Sequence, residues 1–510
     1  MIAKTIAAAV LGIDAYLVDV EVDIADGMPF YSTVGLPEGA VRESKERVRS
    51  AIKNGGFRYP QTRITVNLAP ADIKKEGAAF DLPIAIGILA ANEAIPLDAL
   101  NEYLILGELS LTGDVKSVRG ILPIAVEASK HSGLALIIPE ENAAEAAVVD
   151  GLVVYAVRTL REVVDFLRGR CRLTPTTVDH SRLFEEGSQY PVDFSDVKGQ
   201  EHAKRALEVA AAGGHNIMLL GPPGSGKTML AKRVPSILPS MSFEEALETS
   251  KIYSVTGLLG ARHSLIARRP FRAPHHTISD VGLIGGGGIP RPGEVSLSHH
   301  GVLFLDELPE FKKNALEVMR QPMEDGYVTI SRALTSLTYP AQFMLVAAMN
   351  PCPCGYLGDP KHDCTCHPGA IQRYQSRISG PLLDRVDIQI EVPAIRYREL
   401  SSEASSESSG QVRQRVESAR QLQRRRFGET GPHCNAQLSP LLMKSACRID
   451  EEGRQLLEMV VDRLGMSARG YNRILKVART IADLESSSHI QAIHLSEAIQ
   501  YRTLDRVFAS

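Results

Sequence analysis

The stretch from Asn216 to Thr228 leaves this chain the least freedom. Asn216–Leu220 reads NIMLL, a short apolar run suited to one buried parallel strand. GPPGSGKT follows at once, and then MLAKRV, a helix-forming run. Glycine at 221, 224 and 226 lets the backbone N–H groups of Gly221, Pro222, Pro223, Gly224, Ser225 and Gly226, prolines excepted, curl around phosphates at a helix N-terminus. Lys227 can then reach β/γ-phosphates, and the Thr228 hydroxyl can ligate Mg²⁺. A strand, loop and helix in that order call for a parallel α/β sheet around them, with ATP and Mg²⁺ as ligands.

A partner motif lies downstream. GVLFLDEL (301–308) is an apolar strand ending in Asp306 and Glu307. Asp306 is expected to hold Mg²⁺ through water and Glu307 to orient and polarise the attacking water. Carboxylate pairs also end strands by chance, but here a phosphate loop stands upstream. A third strand, FMLVAAMN, ends in Asn350, suited to sense the γ-phosphate; asparagine also ends strands simply at turns.

With 510 residues, about three domains are expected at roughly 150 residues each. Residues 1–170 alternate strand-like and helix-like stretches, 171–192 read as a polar linker, 193–395 hold the motifs, and 396–510 are helical in pattern after a Ser-rich loop. The net charge of −3 argues against a diffuse basic nucleic-acid binder. No apolar run is long enough for a bilayer. The start, MIAKTIAAAVLGID, is interrupted by Asp14 and continues as an alternating strand, so a cytoplasmic protein without a membrane segment is expected.

Four of the seven cysteines crowd together as Cys352, Cys354, Cys364 and Cys366 within an insertion at 352–366. Four thiolates suit a closed, structural Zn²⁺ site. The C-x-C pairs depart from the usual C-x₂-C; His362 or His367 can replace one thiolate, and a reduced metal-free loop or a redox role stay open. The pairs His275–His276 and His299–His300 are poor metal sites, because neighbours on a strand face opposite ways.

The order of these motifs, followed by ISGPLLDRVD (378–387), resembles an AAA+ ATPase of the magnesium-chelatase-like branch. FRAPHHTISDVGLIGGGGIPRPGEVSLSHHGVLFLDELPEF (271–311), NPCPCGY (350–356) and SARGYNRILKVARTIADL (467–484) are similar to the YifB/ComM family. The resemblance covers essentially the whole chain. It implies an α/β protein of three parts: an N-terminal Lon-protease-like (ribosomal S5-type) domain, a central AAA+ P-loop domain with a parallel sheet, and a C-terminal helical lid. It also implies a homo-oligomeric ring, a hexamer by family habit, acting on single-stranded or branched DNA, as in branch migration by ComM-type members. Arg385 matches the arginine finger, which reaches a neighbouring subunit's ATP; an ion pair with Asp384 or Asp387 is the alternative. Arg469 matches the sensor-2 arginine, with Arg473 a rival one turn on.

The N-terminal block is similar to the Lon protease domain at GELSLTGDV (107–115) and IIPEEN (137–142). The nucleophile position falls on Ala79 and the lysine position near Ile124, neither able to do covalent chemistry. The block is then a DNA-handling platform or a scaffold. DNA contact is also suggested by a hairpin at 329–339 with Arg332 near its tip, and by residues 411–427, which hold six arginines and one glutamate; a solvated surface serves both equally well. A magnesium-chelatase motor subunit and a protein-remodelling ATPase are the rival functions.

Overall fold

The computed structural model describes residues 1–71, 73–75, 77–260, 264–288, 290–332, 335–359, 361–394, 406–428, 431–464, 467–502 and 504; the side chains of 332, 335, 463 and 464 are not included. The chain forms two compact units, Met1–Glu186 with Phe243–Ala267, and Gly187–Ser242 with Arg268–Ser510. The domain boundary expected at 395, and most of the Ser-rich loop, lie outside the described residues. Within the stretch expected to be a linker, His180–Gly187 is helical.

The first unit is built on a seven-stranded mixed sheet. Its strands run in the order Phe30–Val34, Arg63–Ala69, Asp14–Ala25, Ile2–Leu11, Tyr103–Ile105, Ala135–Pro139, Val154–Val157. Ile2–Leu11 and Asp14–Ala25 form an antiparallel hairpin with Leu11 opposite Asp14. Between them Gly12 takes φ +68, which a two-residue hairpin turn requires. Val18, Val20 and Val22 are buried on one face, as their alternation with Asp19, Glu21 and Asp23 requires. The helix Asp81–Ala91 is buried along its whole length against these two strands. Gly87 permits that approach, since a Cβ there would lie 2.7 Å from Val22 Cγ2.

One segment of this unit comes from far along the sequence. The helix Phe243–Thr256, which lies between the two phosphate motifs, packs on the helix Ile121–Ala128. Ser254 Oγ donates to the buried Glu145 carboxylate, which also accepts the Leu122 N–H at 3.1 Å. At its start the Phe243 ring stacks on His180 at 5.1 Å. Ala79 sits in the turn before Asp81–Ala91, its carbonyl accepting from Gly107 N–H at 3.0 Å, and Ile124 is buried.

The second unit holds a five-stranded, all-parallel sheet in the order Phe271–Arg272, Val302–Leu305, Met344–Met349, Ile217–Leu220, Ile388–Glu391. Ile217–Leu220, Val302–Leu305 and Met344–Met349 are buried at every residue, which explains their unbroken apolar runs. The helices Ser409–Phe427 and Ala468–Leu484 share one apolar core with Glu201–Gly213 and Lys227–Ile237. A buried polar knot joins them: Asp387 accepts the Asn216 N–H at 3.1 Å, pairs with Arg473 and lies 3.5 Å from His215, whose Nε2 meets Thr480 Oγ1 at 2.8 Å. Tyr327–Arg332 and Thr335–Pro340 form the expected hairpin, with Thr329 opposite Thr338. No helix of the described residues is long and apolar enough to cross a membrane.

Candidate nucleotide and metal site

Three parallel strands deliver the site. Leu220 is level with Met349, so the loop after Ile217–Leu220 and Asn350 emerge side by side; Leu305 is level with Ala347, which puts Asp306 next to them. The phosphate loop turns through Gly224 at φ +75 and Gly226 at φ +89. Gly221 is required for another reason: a Cβ would stand 2.2 Å from the Val392 carbonyl oxygen.

The loop then enters the helix Lys227–Ile237. Lys227 Nζ donates to the carbonyls of Gly221 at 2.7 Å and Pro222 at 2.9 Å, and to Asn350 Oδ1 at 3.1 Å. Burial lowers the pKa of this ammonium, with Asp306 opposing the shift. A phosphate offers it stronger acceptors than two carbonyls and an amide.

Thr228 Oγ1 donates to Asp306 Oδ2 at 2.7 Å. This leaves the Thr228 oxygen lone pairs free for a hard ion such as Mg²⁺, with Asp306 beside it to hold a water of that ion. Glu307 adopts the left-handed region at φ +52, its N–H donating to Asp306 Oδ1 at 3.0 Å. Its carboxylate is half-exposed and stands 3.2 Å from His276 Nδ1.

Arg385 is buried in the chain's own structure. Its guanidinium pairs with Glu324 and donates to the Pro381 carbonyl at 2.6 Å, while Nε has no partner. The alternative pairing expected with Asp384 or Asp387 is therefore corrected: Asp387 is occupied by Arg473 and Asn216. Arg385 lines an open cavity of about 540 Å³ together with Ile284, Glu317, Arg320 and Val328. Arg385 and Lys227 share no hydrogen-bond partner among those described. Of the two sensor-2 candidates, Arg473 is tied to Asp387, whereas Arg469 is exposed in the first turn of Ala468–Leu484.

The four cysteines converge, every Sγ lying within 4.8 Å of the others. Cys352 Sγ is 3.4 Å from Cys354 Sγ and 3.7 Å from Cys364 Sγ, and Cys354 Sγ is 3.7 Å from Cys364 Sγ. A tetrahedral Zn²⁺ with Zn–S bonds near 2.3 Å sets its ligands about 3.8 Å apart, so the cluster fits that ion. Backbone N–H groups of Tyr356 and Thr365 lower the Cys354 thiol to about 6. Neither histidine joins: His362 lies against Tyr356 and Asp359, and His367 precedes the helix Pro368–Gln375.

Other residues had no motif to announce them. Gln200 Nε2 donates to the Ser225 carbonyl at 2.6 Å and steadies the loop from the helix before the sheet. His276 and Glu324 carry no signal of their own, because each is defined by what it touches across the fold. In the basic helix Ser409–Phe427, Arg415 and Arg426 bind Glu208 and Asp483, and Arg420 binds the Ala211 carbonyl. Arg413 reaches the Ser188 carbonyl, which leaves Arg424 and Arg425 exposed. Arg332's side chain lies outside the described residues.

Comparison with known proteins decides the family. Residues 193–400 match the model for magnesium chelatase, subunit ChlI; residues 20–142 match subunit ChlI of Mg-chelatase; and residues 406–502 match the ChlI C-terminal model. The chain is 46% identical over 503 residues to competence protein ComM of Haemophilus influenzae, covering 98% of this chain and 97% of that one. It is 45% identical over 502 residues to YifB of Escherichia coli, covering 98% and 96%. The chain belongs to the YifB/ComM family of magnesium-chelatase-like AAA+ proteins. A YifB/ComM chain has ATP and Mg²⁺ as its implied ligands, in keeping with the loop and acidic pair described above. Its likeness to Lon is confined to part of the chain: Lon protease 2 of Bacillus subtilis matches at 36% identity over 124 residues, 24% of this chain and 22% of that one.

Proposed function

We propose that this chain hydrolyses ATP as a homo-oligomeric ring, six subunits by family habit, and uses the energy to move along or remodel DNA in the cytoplasm. One observation carries the ATPase reading: Lys227, Thr228, Asp306 and Asn350 meet within hydrogen-bond distance at the ends of three adjacent strands. Lys227 exchanges its carbonyl partners for the β/γ-phosphates and offsets their charge. Thr228 and Asp306 would hold Mg²⁺, which when bound neutralises the phosphate oxygens and fixes their geometry. Glu307 orients the attacking water, and Asn350 reports the γ-phosphate from the neighbouring strand. Arg385 leaves Glu324 to stabilise the γ-phosphoryl group bound by the adjacent subunit, and Arg469 closes from the lid. Cys352, Cys354, Cys364 and Cys366 hold a structural Zn²⁺.

The DNA reading rests on the relative named a competence protein and, more modestly, on exposed Arg424 and Arg425. Turnover measured with single-stranded and branched DNA tests it. Stimulation by either supports the reading. Retained basal turnover with no stimulation turns it toward a chelatase-type motor, favoured by a 27% identical match over 166 residues to a magnesium-chelatase 67 kDa subunit of Chlorobaculum parvum, or toward a protein remodeller. Glu307→Gln should bind ATP normally, lose at least about a hundredfold in turnover, and trap the ring on its substrate.

A further inference from the structure

The cysteine cluster is built into the phosphate loop from two sides. Gly355, between Cys354 and the rest of the knuckle, sits at φ +87 directly on Pro223; a Cβ there would stand 2.5 Å from Pro223 Cδ and 2.7 Å from Cγ. Cys352 is buried two residues after Asn350, whose Oδ1 accepts from Lys227 Nζ. Gln375 Nε2 donates to the intervening Pro351 carbonyl at 3.1 Å. The first pair of cysteines is thus flanked by two contacts to the loop, Gly355 on its outer turn and Asn350 on its lysine.

Among the described residues, the second pair shows no such anchorage. Cys364 and Cys366 lie in a stretch without helix or strand, and Cys354 N–H to Cys366 Sγ at 3.4 Å ties them to the first pair. A knuckle of this kind takes its shape from its metal more than from a core. When the four thiolates are not held together, Gly355 is free to leave Pro223, and the loop loses the wall that fixes its N–H groups for phosphate.

We infer that the Cys352–Cys366 knuckle is a zinc-dependent buttress of the phosphate loop, so that Zn²⁺ at the four thiolates sets the affinity for ATP. This rests on the proposal that the cysteines take zinc. Zinc acts here at a distance, touching no nucleotide, and its loss closes the ATPase at the binding step.

The test uses the full chain, elemental analysis for zinc, and binding of a fluorescent ATP analogue with Mg²⁺. As purified, the chain carries about one zinc per subunit. Stripping it with a zinc chelator and restoring Mg²⁺ weakens analogue binding at least about tenfold, and added Zn²⁺ restores it. Gly355→Ala keeps its zinc yet loses affinity to a similar degree, because the new methyl group displaces Pro223. Unchanged affinity in the stripped, zinc-free chain, or in a Gly355→Ala chain with full zinc content, overturns the coupling. Protein that neither contains nor takes up zinc overturns the metal site itself.

Discussion

The assignment of Arg385 to a neighbour's active site makes a quantitative prediction for mixed rings. Within one chain Arg385 is held by Glu324 and the Pro381 carbonyl, while Lys227 is held by Gly221, Pro222 and Asn350. On the proposed trans arrangement the two cations that serve one reaction come from different subunits. Lys227→Ala removes the phosphate ligand but leaves the finger. Arg385→Ala keeps the ATP site but loses the finger, at a cost in turnover on the order of 10³-fold or more. That factor corresponds to about 4 kcal/mol of lost transition-state stabilisation. Each variant alone should be nearly inert, with Arg385→Ala still binding ATP. Mixed in equal amounts, with subunits exchanging freely and interfaces independent, about a quarter of interfaces pair an intact Lys227 with an intact Arg385. The mixture should therefore recover roughly a quarter of wild-type turnover, whatever the ring size. Steady-state phosphate release across the mixing ratio reads this directly. A mixture no more active than its parents, or an Arg385→Ala variant that turns over normally by itself, refutes the trans assignment.

Two further predictions concern buried charge. Burial alone would raise the Asp387 carboxyl, but Arg473 and His215 hold it well below the usual carboxylate range. Asp387→Ala strands the Arg473 guanidinium against the lid and should cost about 3–5 kcal/mol in the second unit, read as lost hydrogen-exchange protection in Ala468–Leu484. In the first unit, burial lifts Asp81 to about 6 despite Arg47 at 2.6 Å. Between pH 4 and 6 the folded unit keeps a proton that the unfolded chain has lost, so this contribution to stability falls as pH rises through that window and is flat above it. Wild type should lose up to about 3 kcal/mol relative to Asp81→Asn across it, measured as protection of the Asp81–Ala91 amides at matched pH. A pH-independent difference would mean that Asp81 titrates alike in the folded and unfolded chain.

The phosphate loop, the acidic pair and the hairpin were legible in the sequence because each is local: a strand, its turn and the next element lie within a dozen residues. The cysteine cluster was legible for the same reason, although which of its neighbours are ligands was not; His362 and His367 have suitable spacing but turn to Asp359 and to a helix start. The basic run at 411–427 was legible only as a charge count, open to phosphate contact or a solvated face; the fold ties Arg415, Arg420 and Arg426 to carboxylates and a carbonyl of distant helices and leaves Arg424 and Arg425 exposed. A charge count along one helix cannot see a buried glutamate two hundred residues away.

What the sequence determined alone was chemistry carried by contiguous backbone: glycines where N–H groups must converge, carboxylates at a strand end, thiols two residues apart. Three facts belonged to tertiary structure. Phe243–Thr256 belongs to the first unit, where it packs on Ile121–Ala128 and Ser254 donates to Glu145. Arg385 lies buried against Glu324. Gly355 rests on Pro223. Each depends on which surfaces meet after the strands have paired, and the free energy of such a meeting resides in both partners, so neither one's local sequence contains it.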